Sequence, residues 1–94
     1  MTRLLEQHRA AILRIAGEYG ARNVRVFGSN AHGGATETSD IDILVELDAG
    51  RSLLDQVGLQ QGLEELLGRK VDVVVEGGIS PSLEKRILSE AVPL

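Results

Sequence analysis

The sequence predicts an α/β fold in which helices pack against one small sheet of three to four strands. Segments with apolar residues at helical spacing alternate with short β-branched segments, in the order α-β-α-β-α-β-α. Turn residues, mostly glycine, separate these segments. The chain has 94 residues, 43% of them apolar and 26% charged, which is enough for one hydrophobic core. We therefore expect a single domain over residues 1–94.

The first helix is predicted from residues that recur at spacings of three and four, and Gly20 ends it. Those residues are Leu4, Leu5, His8, Ala11, Ile12, Ile15, Ala16 and Tyr19. A short strand over residues 23–27 then runs into Gly28-Ser29, and the polar stretch 30–39 suits a short helix and a loop. We interpret His8 as a packing residue and Arg25 as a solvated charge.

The second and third strands alternate between an apolar face and an acidic face. In residues 40–47 the acidic face carries Asp40, Asp42 and Glu46. In residues 71–75 it carries Asp72. If these strands are neighbours, three aspartates share one face of the sheet.

Two further helices are predicted from their end signals. Ser52 and Asp55 match a capping box at the start of a leucine-rich helix that Gly68 ends. Ser80-Pro81 marks the start of the last helix, and Pro93 its end. Lys85 and Arg86 in that helix are interpreted as solvated charges.

Composition and charge exclude several classes of protein. A net charge of −4 and only two aromatic residues argue against a chain that binds nucleic acid directly. The absence of cysteine removes disulfides, thiolate zinc sites and thiol nucleophiles. No stretch approaches the length of a membrane span or forms a signal peptide. We expect a cytoplasmic protein with no membrane association.

The three aspartates suggest a metal site. Like charges close together on a sheet face are costly unless a cation neutralises them or they take up protons. Carboxylate oxygens without cysteine suit a hard ion such as Mg²⁺ or Mn²⁺. An isolated Asp-x-Asp pair is more often a solvated strand edge, but here Asp72 and a glycine turn accompany it.

The turn at Gly28-Ser29 suggests a phosphate site, because a strand there gives way to a short helix with free backbone N–H groups. Residues 28–34 lack the lysine and the Ser/Thr of a P-loop, so a Walker NTPase is excluded. No glycine stands two residues before Ser29, which excludes a hydrolase nucleophile elbow.

The combination of Gly28-Ser29, ten intervening residues, Asp40-x-Asp42 and Asp72 resembles the DNA polymerase β-like nucleotidyltransferase superfamily. The short chain resembles its minimal branch, the MNT antitoxins of HEPN/MNT toxin-antitoxin pairs. The resemblance implies a small mixed sheet, two Mg²⁺ ions held by the three aspartates, and ATP phosphates held by Gly28 and Ser29. It also implies that AMP passes from ATP to a tyrosine hydroxyl of a HEPN ribonuclease toxin, which inactivates the toxin.

Two positions depart from the pattern of these relatives, which usually read Gly-Ser-Arg-Ala-Arg-Gly. Asn30 and His32 occupy the arginine positions, which removes two fixed charges and their bidentate phosphate contacts. His32 could replace part of that charge when protonated and is a candidate nucleotide-binding residue.

The alternative function is therefore a non-catalytic antitoxin that neutralises its toxin by direct binding. A small-molecule transferase is disfavoured, because 94 residues leave no room for an acceptor domain. In each antitoxin case we expect the leucine-rich helix and the C-terminal tail to contact the toxin or a second copy of the chain in a homodimer.

Overall fold

The computed structural model describes residues 2–31 and 40–94. Within those ranges the helices are α1 (Arg3–Gln7), α2 (Arg9–Glu18), α3 (Leu53–Leu67) and α4 (Pro81–Glu90). The strands are β1 (Ala21–Phe27), β2 (Ile41–Leu47), β3 (Val71–Val75) and β4 (Val92–Pro93). A short 3-10 helix, Gly28–Asn30, follows β1. None of the described helices has the length and apolar character needed to cross a bilayer.

The strands form one mixed sheet in the order β3-β2-β1-β4. β2 and β3 run parallel, whereas β1 is antiparallel to both β2 and β4. The predicted small mixed sheet with packed helices is confirmed. β4 was not predicted, because a two-residue strand that contains proline carries no alternation; it is an edge strand, where proline is tolerated.

One face of the sheet carries the hydrophobic core. Alternate residues of β2 and β3 project from it and are buried: Ile41, Ile43, Val45, Val71 and Val73. Helices α1, α2 and α3 cover them with Leu5, Ile12, Ala16, Leu59, Leu63 and Leu67. The core thus lies between the sheet and the first three helices.

The other face of the sheet carries Asp42, Leu44 and Glu46 of β2. Leu44 and Ile87 of α4 are both buried, yet neither belongs to the core cluster of the first face. Leu44 is therefore buried outside the core of the first face.

Several predicted helix signals are confirmed, but two are wrong. The last helix ends at Glu90 and not at Pro93, because the chain turns extended at Ala91 and Val92–Pro93 pairs with β1 as β4. The Ser52 hydroxyl accepts from the Leu54 N–H (3.2 Å), and the Asp55 carboxylate accepts from the Ser52 N–H (2.9 Å), which completes the capping box. Gly68 ends α3 in the left-handed conformation. The single N-terminal helix that the spacing predicts is instead two helices, with a turn at His8 whose ring Nδ1 lies 2.9 Å from the Leu4 carbonyl oxygen.

Candidate functional site

Two of the predicted site residues lie side by side on the second face of the sheet. Asp42 and Asp72 are paired positions of the parallel strands β2 and β3. Phe27, the last residue of β1, pairs with Asp42 from the other side. Neighbouring strands are about 4.8 Å apart, so the two carboxyl groups start from adjacent backbone positions. We call the two aspartates, Asp42 and Asp72, the acid row, which Phe27 flanks on the side of β1.

The acid row is electrostatically unbalanced. Partial burial, and then the negative charges of Asp72 and Asp40, raise the pKa of the Asp42 carboxyl above its ordinary value. A carboxylate that already carries compensating charge would show the opposite shift. Asp42 is therefore a group whose charged form gains from a nearby cation.

Asp40 stands just before β2, at the exposed end of the same strand. One oxygen of its carboxylate, Oδ2, lies 3.9 Å from the Lys70 Nζ atom. Among the described residues, no three acidic or histidine side chains surround one point as they stand. The sheet thus brings Asp42 and Asp72 together, while Asp40 faces a lysine.

The donor set of this site fits a hard divalent cation. It offers carboxylate oxygens from three aspartates, and at Asp42 the surrounding negative charge already disfavours the ionised form. Asp42 and Asp72 would hold such an ion, and Asp40 would join them on turning away from Lys70.

The glycine turn approaches the acid row closely. Gly28 has φ +72°, in the region that favours glycine, and a Cβ atom built on it would lie 2.6 Å from Asp42 Oδ2. Ser29, the next residue, is exposed. Glycine is therefore needed at position 28 both for its backbone conformation and to leave room for the Asp42 carboxylate.

Asn30 behaves differently from an arginine at this position. Its side chain is fully buried, and its Nδ2 atom donates to the main-chain oxygen of Asp40 at 2.9 Å. The Asn30 carbonyl accepts from the Thr2 N–H at 3.2 Å, which ties the N-terminal segment to the turn. Asn30 thus links the turn to the start of β2, a role that its sequence position alone does not reveal. His32 lies outside the described residues.

Asp72 is held in place from the outer edge of β3. Side chains of α3 satisfy the backbone groups on this edge, where no further strand from residues 2–31 or 40–94 pairs. Glu64 accepts from the Val71 N–H (3.0 Å), Gln60 accepts from the Val73 N–H (3.2 Å), and Gln56 donates to the Val73 carbonyl (2.9 Å). The two residues that flank Asp72 are therefore fixed by one helix.

Arg25 is not the solvated charge that its sequence context predicts. It is 8% exposed, its Nε donates to the Asn23 carbonyl at 2.9 Å, and its Nη2 donates to Glu76 Oε2 at 2.5 Å. Arg25 pairs with Leu44 across β1 and β2. The ion pair with Glu76 therefore crosses β2 at Leu44, two residues along the strand from Asp42. It supports the site and is already occupied by Glu76.

Comparison with known proteins decides the family. The sequence profile of the nucleotidyltransferase domain matches residues 5–94. This chain belongs to that family. The expectation drawn from Gly28-Ser29 and the aspartates is confirmed at this level.

Two relatives and one solved structure are close to this nucleotidyltransferase domain. A Methanocaldococcus jannaschii chain with the provisional name protein adenylyltransferase is 51% identical over 81 residues, which cover 86% of this chain and 87% of the relative. The protein adenylyltransferase MntA of Thermococcus cleftensis is 42% identical over 74 residues, covering 79% and 75%. A solved structure described provisionally as a minimal nucleotidyltransferase has a TM-score of 0.87 at 49% identity, covering 96% of this chain and 92% of its own.

More distant structures share the fold. One, a tri-AMPylated Shewanella oneidensis HEPN toxin in complex with MNT antitoxin, contains a chain 20% identical to this one with a TM-score of 0.72. The match covers 94% of this nucleotidyltransferase and 69% of that chain. At this identity the likeness concerns architecture alone.

Proposed function

We propose that this nucleotidyltransferase is an antitoxin that transfers AMP from ATP to a tyrosine hydroxyl of a cognate HEPN ribonuclease toxin and so inactivates it. The observation that carries the proposal is the close approach of the Gly28 turn to Asp42, beside Asp72. A phosphate-binding turn and a pair of metal-binding carboxylates are the two parts that nucleotidyl transfer requires. The names of the adenylyltransferase relatives support the donor, and the HEPN complex supports the acceptor.

In the proposed reaction the tyrosine oxygen attacks the α-phosphorus of ATP, and the bond breaks between that phosphorus and the oxygen that it shares with the β-phosphorus. Pyrophosphate leaves, and the hydroxyl proton passes to Asp72. Two bound Mg²⁺ ions would lower the pKa of the hydroxyl and offset the charge of the phosphates. Gly28 and Ser29 would hold the β- and γ-phosphates, and Asp40, Asp42 and Asp72 would hold the ions.

Label transfer tests this proposal directly. The chain is mixed with Mg²⁺, the protein product of the neighbouring gene as the candidate HEPN toxin, and ATP labelled on either the α- or the γ-phosphate. We expect label on the toxin from α-labelled ATP only, located at tyrosine by mass spectrometry.

Because ATP is the donor and the chain has no cysteine, we expect the cytoplasm to be the compartment.

Matched variants make the test specific to the acid row. Asp42→Asn and Asp72→Asn should abolish transfer. Glu46→Gln removes an acid from the same strand and the same face at its other end, where Glu46 neighbours Arg22, and should leave transfer intact. Equal transfer by Asp42→Asn and the wild type would refute the proposal.

A second candidate function is neutralisation by binding alone. Leu53, Leu54 and Val57 at the start of α3 are 71%, 82% and 42% exposed, an apolar surface suited to a protein partner. If toxin inhibition survives Asp40→Ala together with Asp42→Ala, and is lost on Leu54→Asp, then inhibition depends on binding and not on AMP transfer. Loss of inhibition by the aspartate variant with complex formation intact favours AMP transfer.

A further inference from the structure

The parallel register of β2 and β3 places a lysine next to the aspartates. Ile41 pairs with Val71 and Asp42 with Asp72, so the next positions outward on the same face are Asp40 and Lys70. The Ile41 N–H donates to the Lys70 carbonyl at 3.0 Å, which fixes the two backbones side by side. The Lys70 backbone is therefore fixed beside the start of β2.

The ion pair between Lys70 and Asp40 is loose. The Nζ and Oδ2 atoms are 3.9 Å apart, and the two side chains are 65% and 49% exposed. Exposed pairs of this length are weak, because water screens them. Lys70 can therefore leave Asp40 for another anion at little cost.

The two arginines of β1 have acidic partners away from the aspartates. Arg25 is buried against Glu76, and Arg22 pairs with Asp48 at the far end of β1. Asn30, at the position where relatives usually have arginine, is buried against the Asp40 main chain and carries no charge. A triphosphate approaching the three aspartates would meet repulsion unless a cation stood beside them.

We propose that Lys70 is a nucleotide-binding residue, resting on Asp40 in the absence of nucleotide and binding the triphosphate when Asp40 takes a divalent ion. The proposal rests on the nucleotidyltransferase function given above. Its geometric basis is that one short helix, Gly28–Asn30, approaches the Asp42 side chain closely at Gly28 and binds the Asp40 main chain through Asn30, while Lys70 pairs with the Asp40 carboxylate. The turn and Lys70 thus converge on one end of β2.

The test compares Lys70→Gln, Lys70→Arg and the control Lys85→Gln, which removes the charge of an exposed lysine on α4. Binding of a fluorescent non-hydrolysable ATP analogue is measured with saturating Mg²⁺, and binding of Mn²⁺ alone by electron paramagnetic resonance. Lys70→Gln should weaken analogue binding by about tenfold, as expected for the loss of one charge-assisted contact, and should tighten Mn²⁺ binding. Lys70→Arg and Lys85→Gln should stay near the wild type in analogue binding.

The proposal is overturned if Lys70→Gln binds the analogue as tightly as the wild type does. It is also overturned if Lys70→Arg, with a wild-type melting temperature, weakens analogue binding as much as Lys70→Gln does. Asp40→Asn supplies an independent variant. This variant should free Lys70 and tighten analogue binding measured in EDTA. An affinity in EDTA equal to that of the wild type would count against the pairing of Lys70 with Asp40. If the wild type binds no analogue under any condition, the proposed function fails, while Mn²⁺ binding still reports on Lys70 and Asp40.

Discussion

The two faces of the sheet differ in chemistry although the same strands form both. On one face β2 and β3 present only apolar residues, and three helices bury most of them. On the other face the same strands present Asp42 and Asp72 side by side, and burial and like charge both act against ionisation of the Asp42 carboxyl. Most of the apolar burial lies on the first face, and this lets the second face keep a pair of aspartates that costs stability.

Support for the acid row comes from outside it. The side chains of α3 close the edge of β3, the ion pair between Arg25 and Glu76 crosses β2 two residues along the strand from Asp42, and Asn30 holds the strand entry at Asp40. None of these contacts touches the Asp42 carboxylate. The site is therefore held rigid by groups that leave its own charges uncompensated, which is what a cation-binding site needs.

The largest effect on stability is expected on the apolar face. Leu63→Ala empties a fully enclosed position on α3 and should lower the free energy of unfolding by about 3 kcal/mol. Leu54→Ala makes the same chemical change on the same helix at an exposed position and should cost less than about 0.5 kcal/mol. Urea unfolding measures both; similar costs would contradict the described core.

A smaller loss is expected from the buried ion pair on the second face. Arg25→Met leaves Glu76 without its partner and should cost about 2 to 3 kcal/mol. Arg22→Met removes an arginine from an exposed pair on the same strand and should cost less than about 1 kcal/mol. In a double-mutant cycle with Glu76→Gln, the double variant should be less destabilised than the sum of the single ones; strict additivity would show that the pair does not couple.

The glycine turn separates stability from activity. Gly28→Ala and Gly68→Ala both force alanine into a positive φ, of +72° and +66°, and each should cost about 1 kcal/mol. Only at position 28 does the new methyl group meet the Asp42 carboxylate, since nothing lies within 4 Å at Gly68. We expect transfer of AMP to fall about a hundredfold in Gly28→Ala and to stay unchanged in Gly68→Ala. Equal transfer rates for the two variants would remove Asp42 displacement as a cause.

The smallest effect is the pH dependence of the uncompensated acid. Because the pKa of Asp42 in the folded protein lies above its ordinary value of 3.8, the folded state holds the proton longer than the unfolded state. This carboxyl therefore lowers stability as pH rises through its folded pKa. Asp42→Asn, measured in EDTA, should melt higher than the wild type at pH 7, and the difference should vanish below pH 3.8.

Asp55 provides the opposite sign as a control. The Ser52 backbone N–H, which donates to this carboxylate in the capping box, holds the pKa of Asp55 below its ordinary value. Its charge therefore adds stability above the ordinary pKa and loses that effect as pH falls through the folded value. Asp55→Asn should melt lower than the wild type at pH 7. A shift of the same sign for both variants would contradict the assigned charge environments.

Much of this arrangement can be predicted from local sequence. Alternation places Asp40, Asp42 and Asp72 on one face, and glycine and capping signals mark the ends of α3. Contacts between distant residues cannot be predicted in this way. Arg25 looks solvated because its partner is 51 residues further along the chain. The ion pair of Lys70 with Asp40 depends on the parallel register of β2 and β3, although its position two residues before Asp72 is a signal that alternation could have supplied.

We propose that the acid row and the glycine turn form one metal-dependent nucleotide site. Crystals grown with Mn²⁺ and a non-hydrolysable ATP analogue test it most directly, because anomalous scattering locates the ion. We expect an ion within about 2.3 Å of carboxylate oxygens of Asp42 and Asp72, with the triphosphate against Gly28 and Ser29. An ion or a triphosphate bound away from β2 and β3, with the acid row empty, would contradict it.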